Sequence, residues 1–469
     1  MVFSASNTEL WSALIQFAII SCFLILANIL RRKIRFIDRS LLPVAVIAGF
    51  ILLFVKEFGI LSINKTFMES LTYHCTAIGF IALGLRVPSS HDIKTGSTSA
   101  KSVGIKSGML IVSTYLLQAI IGLGLTMLIA YLFMPDLFMA SGILLPLGFG
   151  QGPGQAYNIG TTYQSLGFAG GSSYGLAIAS MGFIWASIGG ASYMVMLRKK
   201  GLKINARIRN TDAVTSELIE SPDEVPLTEA LDKFTIQIAL IFIVYLATYL
   251  LSKGATSLLA NATFLGNMSN TISSLIWGFN FLIGSSLALL LNVILSKLKD
   301  FKVMHRQYRN NYMLNRISGL AFDIMITASI ASITLADLKN LWVPFLAITT
   351  AGGLATIWYL KFLCKKVYPD YPNEGFFSMY GMLTGTVSTG IMLLREIDPN
   401  FHTPAAANLV TGSSTAIILG FPLLLMVGMA PNSTSMLFII IGVCLLYGSL
   451  LTYLLIRGKK PNKNNKKEN

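Results

Sequence analysis

The chain has 469 residues, 54% of them hydrophobic and only 12% charged, whereas soluble domains carry about 25% charged residues. A soluble globular class is therefore excluded. A formal net charge of +15 would suit nucleic acid, but the basic residues fall in short clusters between apolar runs, so the partner is the lipid bilayer and not nucleic acid. Cys22, Cys75, Cys364 and Cys444 are scattered, without metal-ligand spacing or a disulfide framework, and no metal cofactor is expected.

In chain order, apolar runs predict spans at 10–30, 41–55, 70–87, 107–134 and 172–197, then 234–252, 273–296, 317–338, 341–363, 404–429 and 434–456. Most approach the ~20 residues that a helix needs to cross hydrocarbon. The first basic cluster follows the first apolar run, which argues against a cleaved signal peptide. The run 41–55 is short, and 70–87 carries Tyr73, His74 and Thr76, so both are expected inside a bundle. His74 is read as a satisfied bundle residue and not a ligand.

Two stretches fit neither a span nor a solvent loop. The first, about 138–168, lies in a run of 61 residues between Asp136 and Arg198 without one Asp, Glu, Lys, Arg or His, and contains Gly150-Gln151-Gly152-Pro153-Gly154-Gln155. The second, about 373–400, contains Gly381, then Thr384-Gly385-Thr386-Val387-Ser388-Thr389-Gly390. Broken polar backbone at membrane depth is tolerated only where it is buried in protein or lines a cavity.

Treating both stretches as re-entrant hairpins, with the spans alternating sides, places 31 Lys and Arg on one side and Lys56, Lys65, Lys253 and Lys339 on the other, with Arg395 inside the second hairpin. That bias sets the N-terminus outside and the C-terminus in the cytoplasm. The expected fold is an all-α polytopic membrane protein of two inverted repeats, 9–198 and 232–429. Each repeat has five transmembrane helices and one hairpin. A cytoplasmic linker, 199–231, with room for a short amphipathic helix, joins them. An extra helix, 434–456, and a basic tail, 457–469, complete the chain.

Paired breaks in corresponding positions of two repeats point to a transporter's substrate site. Gly150, Gln151, Gly152, Pro153, Gly154, Gln155 and Asn158 are candidate substrate residues, because glycine lets a ligand approach the backbone and freed helix ends offer N–H and C=O groups. Thr384, Gly385, Thr386, Ser388 and Thr389 supply hydroxyls and carbonyls suited to a carboxylate or to Na⁺. Close packing through small residues explains Gly189 and Gly190, but not Gly150 to Gln155. Asp323, an acid within a span, is a candidate for Na⁺, a proton or a substrate ammonium, against a structural pairing with Arg316. Arg395 is read as reaching the inner interface in preference to clamping a substrate carboxylate.

These motifs resemble a known family. Gly150-Gln-Gly-Pro-Gly154-Gln-Ala, Met181-Gly182 and Ile188-Gly189-Gly190 are similar to the first hairpin and following helix of bacterial sodium/glutamate symporters. Gly385-Thr-Val-Ser-Thr-Gly-Ile391 resembles their second hairpin, and Pro43-Val44-Ala45 and Ile78 to Gly84 resemble earlier helices. The resemblance implies a homodimeric, elevator-type carrier in the bacterial inner membrane. It also implies Na⁺ as coupling ion, for which Thr386 and Asp323 are the possible ligands by their own chemistry, and import of glutamate or a related small anion. Gln151 stands where the family pattern has what looks like a histidine, and helix 434–456 is additional. The alternatives are a di- or tricarboxylate symporter, a Na⁺/H⁺ exchanger using Asp323 or, from other classes, a channel or an intramembrane enzyme. The last lacks a nucleophile–base or paired-acid constellation.

Overall fold

A computed structural model describes residues 7–35, 37, 40–87, 98–200, 232–261, 268–302, 304, 306–398 and 403–457. The linker expected at 199–231 and the tail at 457–469 lie almost wholly outside these residues. The described chain is all-helical, 85% helix with no strand. Its helices are α1 (Thr8–Lys33), α2 (Val44–Glu57), α3 (Lys65–Gly84), α4 (Thr98–Leu132), α5 (Pro153–Ser165) and α6 (Gly171–Lys199) in the first half. The second half holds α7 (Lys233–Ala260), α8 (Met268–Gly278), α9 (Asn280–Asp300), α10 (Asn311–Ser332), α11 (Trp342–Val367), α12 (Pro372–Thr384), α13 (Val387–Arg395), α14 (Ala405–Leu419), α15 (Phe421–Met429) and α16 (Thr434–Arg457).

Local chemistry sets these bounds. Asn7, Asn64 and Asn310 each accept a backbone N–H three residues on, at 3.0, 3.1 and 2.8 Å, and so start α1, α3 and α10. Eight of the described helices are long and apolar enough to cross a bilayer: α1, α4, α6, α7, α9, α10, α11 and α16. The short α2 and polar α3 are not among them and sit largely buried, as expected for bundle elements.

Three expected spans need correction. The run 273–296 is two helices broken at Phe279. The run 404–429 bends by 51° at Gly420, where Pro422 supplies no backbone N–H. The span expected at 317–338 is shifted: α10 begins at its Asn310 cap and ends by Ile333, followed by a 3₁₀ turn, Leu335–Leu338.

Packing separates the helices into two groups that each draw on both halves of the chain. One group joins α1, α2 and α3 to α7, α8, α9 and α10, with α3 crossing α10 most extensively. The other joins α4 and α6 to α11 through α15, and α16 packs on its α4 side. Tyr447 of α16 donates to the Leu419 carbonyl at 2.8 Å, a carbonyl left without its helical donor by the bend before Pro422. Tyr359 of α11 and Thr452 of α16 share a further hydrogen bond at 2.7 Å.

At one end of the molecule Asp337 ties the groups together. It accepts from Ser173 of α6 at 2.6 Å and pairs with Lys65 of α3 at 3.3 Å. Lys56 of α2 donates to the Ala331 and Ile333 carbonyls, closing the end of α10.

Candidate functional site

Between α4 and α6 the chain runs through a 3₁₀ turn, Met139–Ile143, a helical turn, Leu144–Pro146, and a π-turn, Leu147–Gln151, before breaking at Gly152. Gly152 has φ 97° and ψ 177°, a region open to glycine alone, and Pro153 then starts α5. The aromatic rings of Phe138 and Phe168, which bracket this segment, stack at 5.1 Å, so its two ends are neighbours. In the second half, α12 ends at Gly385 and Thr386 caps α13, accepting the Thr389 N–H at 3.4 Å. The arms of this segment also pack closely, with Gly381 against Gly390.

The two breaks meet. A Cβ placed on Gly152 would lie 3.4 Å from Thr386 Cγ2 and 3.7 Å from the Gly385 carbonyl oxygen. Both α5 and α13 therefore begin at one locus, and their N-terminal N–H groups favour an anion there.

A cavity of about 820 Å³ opens from this locus. The breaks contribute Gly150, Gln151, Gln155, Thr386, Val387 and Ser388, while Phe80, Phe281 and Phe322 supply an apolar wall from the other helix group. Three arginines, Arg86, Arg316 and Arg395, also line it, and among the described residues its wall carries no Asp, Glu, Lys or His. Arg86 follows the end of α3, where Asn292 donates to the Arg86 carbonyl at 2.5 Å and Asn311 exchanges two hydrogen bonds with Val87 at 2.8 and 2.7 Å. Arg316 lies over the Tyr312 ring, 5.2 Å from its centre. Arg395, at the end of α13, is exposed and also lines the cavity.

The other candidates lie behind this wall. Gly154 packs on Thr76, and a Cβ there would collide with it. Asn158 donates to the Gly278 carbonyl at 2.7 Å, joining α5 to α8. Thr384 bonds back to the Tyr380 carbonyl at 2.6 Å, and Thr389 packs beside Thr386 with their hydroxyl oxygens 3.2 Å apart. Gly152, Pro153 and Gly385 form the breaks without facing the cavity. Asp323 is exposed next to Phe322, off the cavity wall, and makes no hydrogen bond or ion pair among the described residues; the alternative of a structural pairing with Arg316 is absent. Gly189 packs beneath the Tyr380 hydroxyl, as a packing glycine should.

Sequence reasoning passed over Tyr115 and Gln118 of α4. Tyr115 donates to the Gly150 carbonyl at 3.0 Å, and Gln118 donates to the Leu383 carbonyl at 2.9 Å and to Thr356 at 3.0 Å. The available signal was an amide in the middle of an otherwise apolar span.

The family model of the sodium/glutamate symporter matches residues 10–371, which takes in the first break and ends just before α12. No curated protein and no solved structure matches the chain. The match spans most of the sequence, and with it the chain belongs to the sodium/glutamate symporter family, as a multi-pass membrane transporter with Na⁺ as the coupling ion.

Proposed function

We propose that this chain imports glutamate or a related small acidic substrate together with Na⁺, binding the anion where the two breaks meet. One observation carries the reading: the two breaks, at which α5 and α13 start, and three arginines meet at a single cavity whose described wall has no carboxylate. A substrate carboxylate entering it replaces hydration with charge-assisted hydrogen bonds, while the wall's phenylalanines exclude water. Freed carbonyls and the Thr386 hydroxyl are hard oxygen donors of the kind that Na⁺ takes.

The seam between the groups supports alternating access. The cavity wall mixes residues of both helix groups, so a displacement of the break-bearing group along α3, α9 and α10 moves the site with it, as an elevator-type carrier requires. In this reading 9–198 and 232–429 are inverted repeats, both breaks are re-entrant, the N-terminus is outside, and the carrier works as a homodimer. The cavity then opens toward the cytoplasm, where Arg86, Arg316 and Arg395 lie. The contacts of Asp337 hold the outer end shut.

A di- or tricarboxylate without an amine has one observation in its favour, since no acid on the described wall can pair with the α-ammonium of glutamate. Exchange of Na⁺ for protons at Asp323 has less support, because that carboxylate is off the wall. Uptake of labelled glutamate into proteoliposomes, with and without an inward Na⁺ gradient, tests the reading. Na⁺-driven accumulation, displaced by aspartate-like anions, is expected. Accumulation of carboxylates but not of amino acids would transfer the assignment to the second reading, and no Na⁺-dependent anion uptake at all would overturn both.

A further inference from the structure

The two breaks lose a carbonyl partner at the same place. In an unbroken helix the Gly150 carbonyl would accept the N–H of Gly154, and the Leu383 carbonyl that of Val387. Each donor lies past its break, and each orphaned carbonyl stands two residues before the break glycine, Gly152 or Gly385. A carbonyl stranded inside protein needs a substitute donor. Both substitutes come from α4, one helical turn apart: Tyr115 Oη to Gly150 at 3.0 Å and Gln118 Nε2 to Leu383 at 2.9 Å.

The fit is close on both sides. A Cβ on Gly150 would collide with the Tyr115 ring, so glycine is what lets the ring lie against this backbone. Gln118 is fully buried, and its amide orientation is fixed because Leu383 offers only an acceptor. Thr356 of α11 accepts from the same Nε2 at 3.0 Å while donating to Gly352 at 2.7 Å, which leaves Gln118 one orientation.

From this geometry we infer that Tyr115 and Gln118 are positioning residues that set the separation of the two breaks, and through it the affinity for substrate and Na⁺. The inference rests on the proposal that the breaks bind the transported ligand. α4 acts as a ruler: it grips one break from each half of the chain at a fixed spacing of one turn. Loosening either grip leaves the polypeptide folded but lets the two helix N-termini drift apart, so the ligand must reassemble its own site.

The test uses the full-length carrier with Tyr115→Phe, which removes one hydroxyl and keeps the ring, and Gln118→Met, which keeps the volume. Tyr163→Phe is the control, because its hydroxyl donates to the Val427 carbonyl at 2.6 Å, away from both breaks. Half-saturation for glutamate and for Na⁺, maximal uptake and ligand-free melting temperature are measured for each. Spin labels on cysteines at 151 and 388 report the separation of the breaks without substrate. Each α4 variant is expected to raise both half-saturation constants about tenfold, equivalent to about 1.4 kcal/mol, with a smaller change in maximal rate. The 151–388 distance distribution should broaden, whereas Tyr163→Phe lowers melting temperature only. If the Tyr115 and Gln118 variants lose stability like the control, with unchanged half-saturation and an unchanged 151–388 distance, the inference is wrong. A wild type that shows no Na⁺-dependent uptake defeats the functional reading instead, while the label distance still decides whether α4 sets the spacing.

Discussion

Gly152 and Gly154 are two residues apart and constrained for different reasons. Gly152 has room for a Cβ, with 3.4 Å to its nearest neighbour, but its φ of 97° disfavours every L side chain. Gly154 has an ordinary helical conformation and no room, because Thr76 of α3 occupies the space. Gly152→Ala is therefore expected to shift the break and weaken substrate binding roughly tenfold or more, with the protein still inserted and folded. Gly154→Ala should instead lower stability by about 1–3 kcal/mol through overpacking, and Thr76→Ala in the same chain should recover part of the loss. Melting temperatures and substrate-induced stabilisation of the three variants check the distinction. An affinity loss in Gly154→Ala that Thr76→Ala does not relieve would place Gly154 at the ligand after all. Both glycines were legible in the sequence as members of one motif; their separate roles were not, because Thr76 is far away in the chain. The arginines show the same limit. Arg86 and Arg316 read in sequence as positive-inside loop residues, and only the packing of α3, α9 and α10 turns them toward the cavity. Replacing Arg316 or Arg395 with Gln should raise half-saturation for the anionic substrate about tenfold while sparing Na⁺ binding measured without substrate, since a charged hydrogen bond contributes about 1.5–3 kcal/mol. Asp323→Asn separates the remaining ion assignment: loss of Na⁺ activation with intact folding would make it a ligand, and wild-type Na⁺ activation would remove it from the site.

At the scale of elements, the contacts around Asp337 join parts that must separate if the groups move. Lys65 belongs to α3 and Ser173 to α6, one from each group, and the Thr334 N–H also reaches Ser173 at 3.4 Å. The pair is half-exposed, so its Coulombic contribution is small, of the order of 0.2–1 kcal/mol. That suits a catch that opens in every cycle. Asp337→Asn is expected to shift the population toward the outward-open state, seen as faster labelling from outside of a cysteine at position 155. Unchanged labelling, with unchanged exchange of substrate, would reduce the cluster to a surface contact. The spans and the two glycine-rich segments were readable from apolar runs and charge-free stretches. The breaks at Phe279 and Gly420 were not read, although Gly420-Phe421-Pro422 carried a signal for the second. The first has no proline, and its freed carbonyls at Trp277 and Gly278 are satisfied by Tyr73 and Asn158 from other helices.

For the whole molecule, topology can be measured directly. With both segments re-entrant, single cysteines at positions 137 and 168 should both be labelled from outside, and those at 373 and 400 both from inside. The stacking of Phe138 on Phe168 favours the first pair, and the Tyr193 hydroxyl, 3.2 Å from Asn373 on the side of Arg198, places 373 at the basic end. Labelling of either pair from opposite sides would end the inverted-repeat description.

If the two halves are inverted repeats, helix α16 is the element without a partner in the first, and it is bonded to the bend at Leu419 and packed along α4. In a perfectly twofold carrier the outward and inward states exchange roles and have equal free energies. An unpaired helix fastened to one partner removes that degeneracy, and a difference of about 1.4 kcal/mol already leaves ten molecules in one state for each in the other. The resting orientation of the carrier, and so the side on which it waits for cargo, can be set by a helix that never touches the cargo.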